Sequence, residues 1–385
     1  MSTATHRSPL TDWTVLVPVV ALIALVLSWG RDLPGFAVAL VAVCLAGAVL
    51  AAVHHAEVVA HRVGEPFGSL VLAVAVTVIE VALIVTLMAD GGDKTASLAR
   101  DTVFAAVMIT CNGIVGLSLL VGALRNRVAV FNAEGSGAAL ATVATLAVLS
   151  LVLPTFTTSK PGPEFSSAQL TFAAVASLAL YGLFIAVQTV RHRDYFLPVE
   201  AHGGAREGAG APAGAPAGAE GDGIGDGDHA APPTSRAALV SLGLLLVALI
   251  AVVGDAKAVS PTIEAGVASA GLPNAVVGVI IALLVLAPET LAAVRAARRG
   301  RVQTSLNLGY GSAIASIGLT IPVIALATIW LSGPLLLGLG PIHMVLLALT
   351  IVVSALTIAP GRATLLQGGV HLVLLAAYLF LAVSP

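Results

Sequence analysis

Long apolar runs, broken by short polar or turn-forming stretches, dominate this chain. The runs fall at residues 13–29, 35–54, 68–88, 102–124, 137–154, 167–190, 237–254, 271–294, 305–330, 342–359 and 364–383. Each approaches the roughly 20 apolar residues that a helix needs to cross a bilayer. Breaks such as "GRDLPG" at 30–35 carry turn and charge signals. "SGPLLLGLGP" at 332–341 is itself apolar and marks its boundary less sharply. The pattern predicts an all-α polytopic membrane protein with about eleven transmembrane helices.

Residues 199–235 depart from this pattern. They form an Ala/Gly/Pro-rich stretch that carries Glu200, Glu207, Glu220, Asp222, Asp226 and Asp228. Nothing in it can build a core, so it reads as a flexible, solvated acidic loop. "DGIGDGD" lacks both the aspartate spacing and the closing glutamate of an EF-hand loop. The loop leaves six spans before it and five after it.

Composition narrows the class further. The chain is 58% hydrophobic and only 10% charged, against about 25% charged in soluble domains. A net charge of −2 and the lack of a basic patch give no reason to expect a nucleic-acid partner. The bilayer itself is the expected surrounding. Cys44 and Cys111 both fall in apolar runs and are too few for a disulfide framework. The first run, near Trp13, lacks a convincing small-residue cleavage site and reads as a retained span.

Arginine and lysine orient the spans. Thirteen of the eighteen basic residues fall on the side of the N-terminus. By the positive-inside rule this places the N-terminus in the cytoplasm and the C-terminus outside, in a plasma (inner) membrane.

The two halves resemble each other. "VIEVALIV" at 78–85 matches "APETLAAV" at 287–294. The helix after each also matches: Thr102 aligns with Thr304, Thr110 with Ser312, Gly116 with Gly318 and Ser118 with Thr320. Five spans separate equivalent positions. Because five is odd, the two copies run in opposite directions through the membrane. The expected organisation is an extra first helix (1–34), a first inverted repeat of five spans (35–198), the acidic loop (199–235) and a second repeat of five (236–385). Inverted repeats of this kind place a substrate site near the bilayer midplane.

Each repeat carries one glutamate within its apolar run, Glu80 and Glu289. An ionisable group at that depth is costly and marks an ion path or proton relay. Pro288 precedes Glu289 and removes a backbone hydrogen bond, which frees carbonyl oxygen beside the carboxylate. Oxygen donors suit hard cations such as Ca²⁺ or Na⁺. Thr77, Thr110, Asn112, Ser312 and Ser316 are the expected supporting groups. Two close carboxylates in low dielectric repel each other and resist ionisation, so protons and cation compete for one site. That competition is the core of an antiporter.

At these residues the chain resembles the cation/Ca²⁺ exchanger superfamily, in its bacterial calcium/proton (sodium/proton) antiporter branch. "GEPFGSLVLAVAVTVIEVALI" at 64–84 matches the first family repeat, and "APETLAAV" with "GSAIASIGLTIPV" at 311–323 matches the second. The resemblance runs from about residue 35 to the end. It implies two inverted five-helix repeats and cation/proton exchange, with Glu80 and Glu289 as the shared cation- and proton-binding pair. Calcium/proton members usually carry Gly-Asn shortly before each glutamate, where this chain has "VTVIE" and "LAPE". Ala315 stands where many relatives carry Gln. These departures bear on ion selectivity; the resemblance implies Ca²⁺ first as cargo, with Na⁺ or K⁺ as the alternative, and no resident cofactor.

Other groups have plainer readings. His54, His55, Glu57, His61, Arg62 and Glu65 cluster before the third span, as a candidate pH or calcium sensor or as solvated interfacial charges. Asp101 is expected to cap the fourth span. His343 and His371 are expected to pack, and Asp255, Lys257 and Glu264 to lie in an outer loop. An intramembrane enzyme is disfavoured because neither HExxH nor GxSxG occurs. A passive channel stays open as a third reading.

Overall fold

The computed structural model describes residues 12–31, 33–64, 67–91, 95–198, 233–331 and 333–384. Eleven long helices lie among them. They are α1 (Trp13–Ser28), α2 (Gly35–Val63), α3 (Phe67–Gly91), α4 (Leu98–Asn126), α5 (Ala133–Phe156) and α6 (Ser167–Arg191). After the acidic stretch come α7 (Ser235–Ser269), α8 (Ala275–Arg298), α9 (Val302–Ala327), α10 (Pro341–Ile358) and α11 (Leu365–Val383). Nine of these described helices are long and apolar enough to cross a membrane, and α1 and part of α3 are shorter apolar helices. The acidic loop lies outside the described residues up to residue 232.

Local chemistry sets several starts. Ser166 with Gln169 caps α6, and Thr364 with Gln367 caps α11, each as a reciprocal capping box. Asn132 accepts from the Glu134 and Gly135 amides to open α5. Pro341 sits in the first turn of α10, where its missing N–H costs nothing.

The packing pairs follow the expected repeat. The first helices of the two halves, α2 and α7, pack together, and so do α3 with α8 and α4 with α9. The remaining contacts come as exchanged equivalents. Helix α9 packs on α3, α5 and α6 of the first half, while α4 packs on α8, α10 and α11 of the second. Helix α1 lies against α2 and α7.

The connections sort onto two faces, as eleven crossings require. On one, Ala129–Val130 after α4 pairs antiparallel with Arg362–Ala363 before α11. On the other, the segment before α10 bonds the segments before α4 and α6, through Leu336 N to Ala96 O and Gly338 N to Pro163 O, both 3.0 Å.

Three expectations need correction. The spans are longer than hydropathy shows. Helix α7 runs 35 residues to Ser269, so Asp255, Lys257 and Glu264 lie on a helix rather than in a loop. Apolar residues continue on its inward face past Asp255, which extends the helix. Helix α2 likewise continues through His54–Arg62. Finally, α4 begins at Leu98 with Ser97 as its N-cap residue. Asp101 therefore sits in the first turn and accepts from Ser97 Oγ and from Arg100 Nε, both at 2.8 Å.

Candidate functional site

Glu80 lies in the middle of α3 with its side chain buried. Ile79, Val81 and Leu83 around it are also buried, so no apolar slack separates the carboxylate from neighbouring helices. Its partner comes from the other half. Ser316 on α9 donates a 2.6 Å hydrogen bond to Glu80 Oε1. Thr77 is buried one turn before Glu80, on the same face of α3.

Glu289 lies on α8 directly after Pro288. The helix continues through both residues to Arg298. Proline has no N–H, so the carbonyl of Leu284, four residues back, loses that bond. Thr290 Oγ1 covers a nearby carbonyl instead, donating to Leu286 O at 2.7 Å. Ser312 Oγ points at Glu289 Oε1 from 3.5 Å, the outer limit of a hydrogen bond. Glu289 Oε2 is buried and has no hydrogen-bond partner.

One helix thus serves both acids. Ser312 and Ser316 are four residues apart on α9, one turn along the same face. The arrangement is lopsided, however. The register that pairs Thr110 with Ser312 pairs Ile114 with Ser316, so the first half has no hydroxyl at the mirror position.

Two expected supporting groups point elsewhere. In α4, residues Ile109–Ile114 form a π-helical turn. Such turns insert a residue and re-aim side chains, often at functional positions. Thr110 Oγ1 bonds back to Ala106 O at 2.7 Å in its own helix. Asn112 Nδ2 donates to Thr350 Oγ1 at 2.9 Å, and its Oδ1 meets His371 Nδ1 at 3.2 Å. His371 Nε2 in turn meets Thr357 Oγ1 at 3.3 Å. His371 is fully buried in this chain of polar groups, a role that sequence reasoning missed. His343 packs against the rings of Phe104 and Tyr378, as expected.

The histidine cluster divides. His55 is buried and its Nε2 meets Thr14 O at 2.9 Å, joining α2 to α1. His54 lies beside the Trp13 ring. Glu57 and His61 are exposed near the end of α2, and Glu65 falls outside the described residues. Among the described residues, no three His, Cys, Asp or Glu side chains gather as a metal-binding group.

Residues 32–190 and 240–384 match the model of the sodium/calcium exchanger protein family. The chain belongs to that family. Over 380 residues it is 43% identical to the provisionally named ionic transporter y4hA of Sinorhizobium fredii, covering 97% of this chain and 96% of the relative. Over 373 residues it is 35% identical to the sodium-potassium/proton antiporter ChaA of Escherichia coli, covering 96% and 95%. Among solved structures, the exchanger-family fold recurs in native YfkE at a TM-score of 0.69 and 15% identity, covering 97% of this chain and 99% of that one. As a member of the exchanger family, the chain is a multi-pass membrane transporter and not an enzyme.

Proposed function

We propose that this exchanger-family protein moves a cation in one direction and protons in the other, by alternating access, and that Glu80 and Glu289 are the groups both ions share. The observation that carries the reading is the Ser316–Glu80 contact together with the Ser312–Glu289 contact one turn away on α9. It gathers two membrane-depth carboxylates, one from each half, around a single polar face of α9. Either acid left ionised without a cation would be costly, so a proton must replace a departing cation.

For the cargo, the donor set favours Na⁺ or K⁺ over the Ca²⁺ expected first from the sequence. Ca²⁺ takes six to eight oxygens. Among the described residues, Ser312 and Ser316 meet the acids, while Thr110 Oγ1 is turned back to its own helix and Asn112 to Thr350 and His371. The likeness to a sodium-potassium/proton antiporter supports the same reading. Calcium remains the second reading, because two carboxylates match a divalent charge and a 24% identical relative from Aphanothece halophytica is named a Ca²⁺/H⁺ antiporter. The basic-residue bias supports a cytoplasmic N-terminus and an outward C-terminus, and the family match supports the repeat boundaries near residues 35 and 236.

Fluorescence dequenching in everted vesicles tests the assignment. Na⁺ or K⁺ should dissipate an imposed proton gradient at lower concentration than Ca²⁺. Dissipation by Ca²⁺ alone would move the cargo to the second reading.

A further inference from the structure

Asp255 sits on α7, twenty residues from the helix start and fully buried. Both carboxyl oxygens lack a hydrogen-bond partner. Its neighbours along α7, Ala251, Val252 and Ala256, belong to an apolar cluster that also draws Ala21 from α1, Leu45 and Ala48 from α2, and residues of α3, α4 and α8. The packing leaves no room for water at its neighbour: a Cβ on Gly254 would lie 2.3 Å from the Leu25 side chain of α1. On the other flank, a Cβ on Gly47 of α2 would lie 3.0 Å from Val17. Small residues therefore draw α1 tightly onto α7 at the level of this acid, and onto α2 about 12 Å further along α1.

The charged neighbours are few. Helix α1, Trp13–Ser28, contains no ionisable side chain. On α2, Cys44 is the titratable side chain packed against this cluster, while His54, His55, Glu57, His61 and Arg62 lie ten or more residues further along. Glu80 of α3 is turned to Ser316, Asp90 lies near the α3 end, and α8 offers Glu289, Arg295 and Arg298. On α7 itself, Glu264 accepts from Ser260 at 2.7 Å and Lys257 is exposed. Among the described residues, no cation or hydrogen-bond donor reaches the Asp255 oxygens, so an ionised carboxylate would be buried without compensation.

We propose that Asp255 is a proton-binding site of its own, separate from the glutamate pair, filled while α1 is docked on α2 and α7. The occupant is a proton rather than a metal ion, because among the described residues Asp255 belongs to no metal-binding group of His, Cys, Asp or Glu and its oxygens have no hydrogen-bond partner. Loss of that proton leaves an uncompensated charge at the joint and loosens α1 from the pair that opens the two halves. The site stands whether or not Glu80 and Glu289 carry the transported ions.

Infrared spectroscopy of the full chain in phospholipid vesicles at neutral pH reads this directly. The wild type and a Glu80→Gln/Glu289→Gln double variant should both show the C=O band of a neutral carboxylic acid, and adding Asp255→Asn to the double variant should remove it. An unchanged band after that addition overturns the proposal. Asp255→Ser provides the same comparison should the amide variant fail to assemble. Docking is read by amide hydrogen exchange of residues 13–28, corrected for the intrinsic pH dependence of exchange. As pH rises, exchange in α1 should accelerate more in the parent than in Asp255→Asn. Identical pH profiles would overturn the coupling to α1.

Discussion

Ser316 on α9 holds Glu80 on α3 at 2.6 Å, and so ties the second half of the chain to the acid of the first. One turn earlier, Ser312 reaches Glu289 only at 3.5 Å. The two acids are equivalent in sequence but not in their surroundings. Glu80 is satisfied, whereas Glu289 keeps a buried oxygen free.

That difference predicts unequal serine variants. A hydrogen bond to a charged group contributes about 1.5–3 kcal/mol. Ser316→Ala should therefore raise the half-saturating cation concentration about tenfold or more, since about 1.4 kcal/mol is one decade. Ser312→Ala should change it by about threefold or less, because a 3.5 Å contact is weak. Cation titrations of transport in vesicles check both. Equal effects would mean that the two hydroxyls hold their acids alike.

Competition between proton and cation carries a sign. Acidification should raise the half-saturating cation concentration and leave the maximal rate at saturating cation closer to constant. Ser316→Ala removes a donor that favours the ionised acid, so its cation binding should reach half-maximum at a more alkaline pH than in the wild type. Paired titrations at several pH values read the displacement.

His371 anchors the π-helical turn of α4 through Asn112. His371→Ala leaves Asn112 Oδ1 and Thr357 without this partner, at a cost of about 1–3 kcal/mol. The melting temperature of the purified protein should fall by several degrees. An unchanged melt would show that the polar chain contributes no net stability.

Close helix approach gives a separate stability test. A Cβ at Gly368 of α11 would lie 2.7 Å from Leu120 N and 3.0 Å from Gly116 O of α4. Backbone cannot yield as a side-chain end can. Gly368→Val should force α4 and α11 apart and cost about 1–3 kcal/mol. Gly369→Ala, with open space around its Cβ, should be nearly neutral. Thermal melts of the two variants make the comparison.

The sequence was informative wherever one physical signal dominated. Apolar run length revealed all eleven helices, and the odd spacing between "VIEVALIV" and "APETLAAV" revealed the inverted arrangement. Buried carboxylates are so costly that Glu80 and Glu289 stood out without any alignment. Helix ends were less legible. Hydropathy stops at Gly254 because Asp255 and Lys257 follow, yet α7 continues, since the buried face and the polar residues alternate around it. The partners of Thr110 and Asn112 were not legible at all. They depend on a π-helical turn and on His371, 259 residues away from Asn112. No periodicity encodes such a contact.

The central claim is that one cation and protons share Glu80 and Glu289. The most direct measurement is proton-gradient dissipation in everted vesicles, for the wild type, Glu80→Gln and Glu289→Gln at matched protein levels. Na⁺, K⁺ and Ca²⁺ are added in turn. The account predicts that at least one cation collapses the gradient in the wild type and that neither glutamine variant responds. Wild-type dissipation by either variant would contradict it.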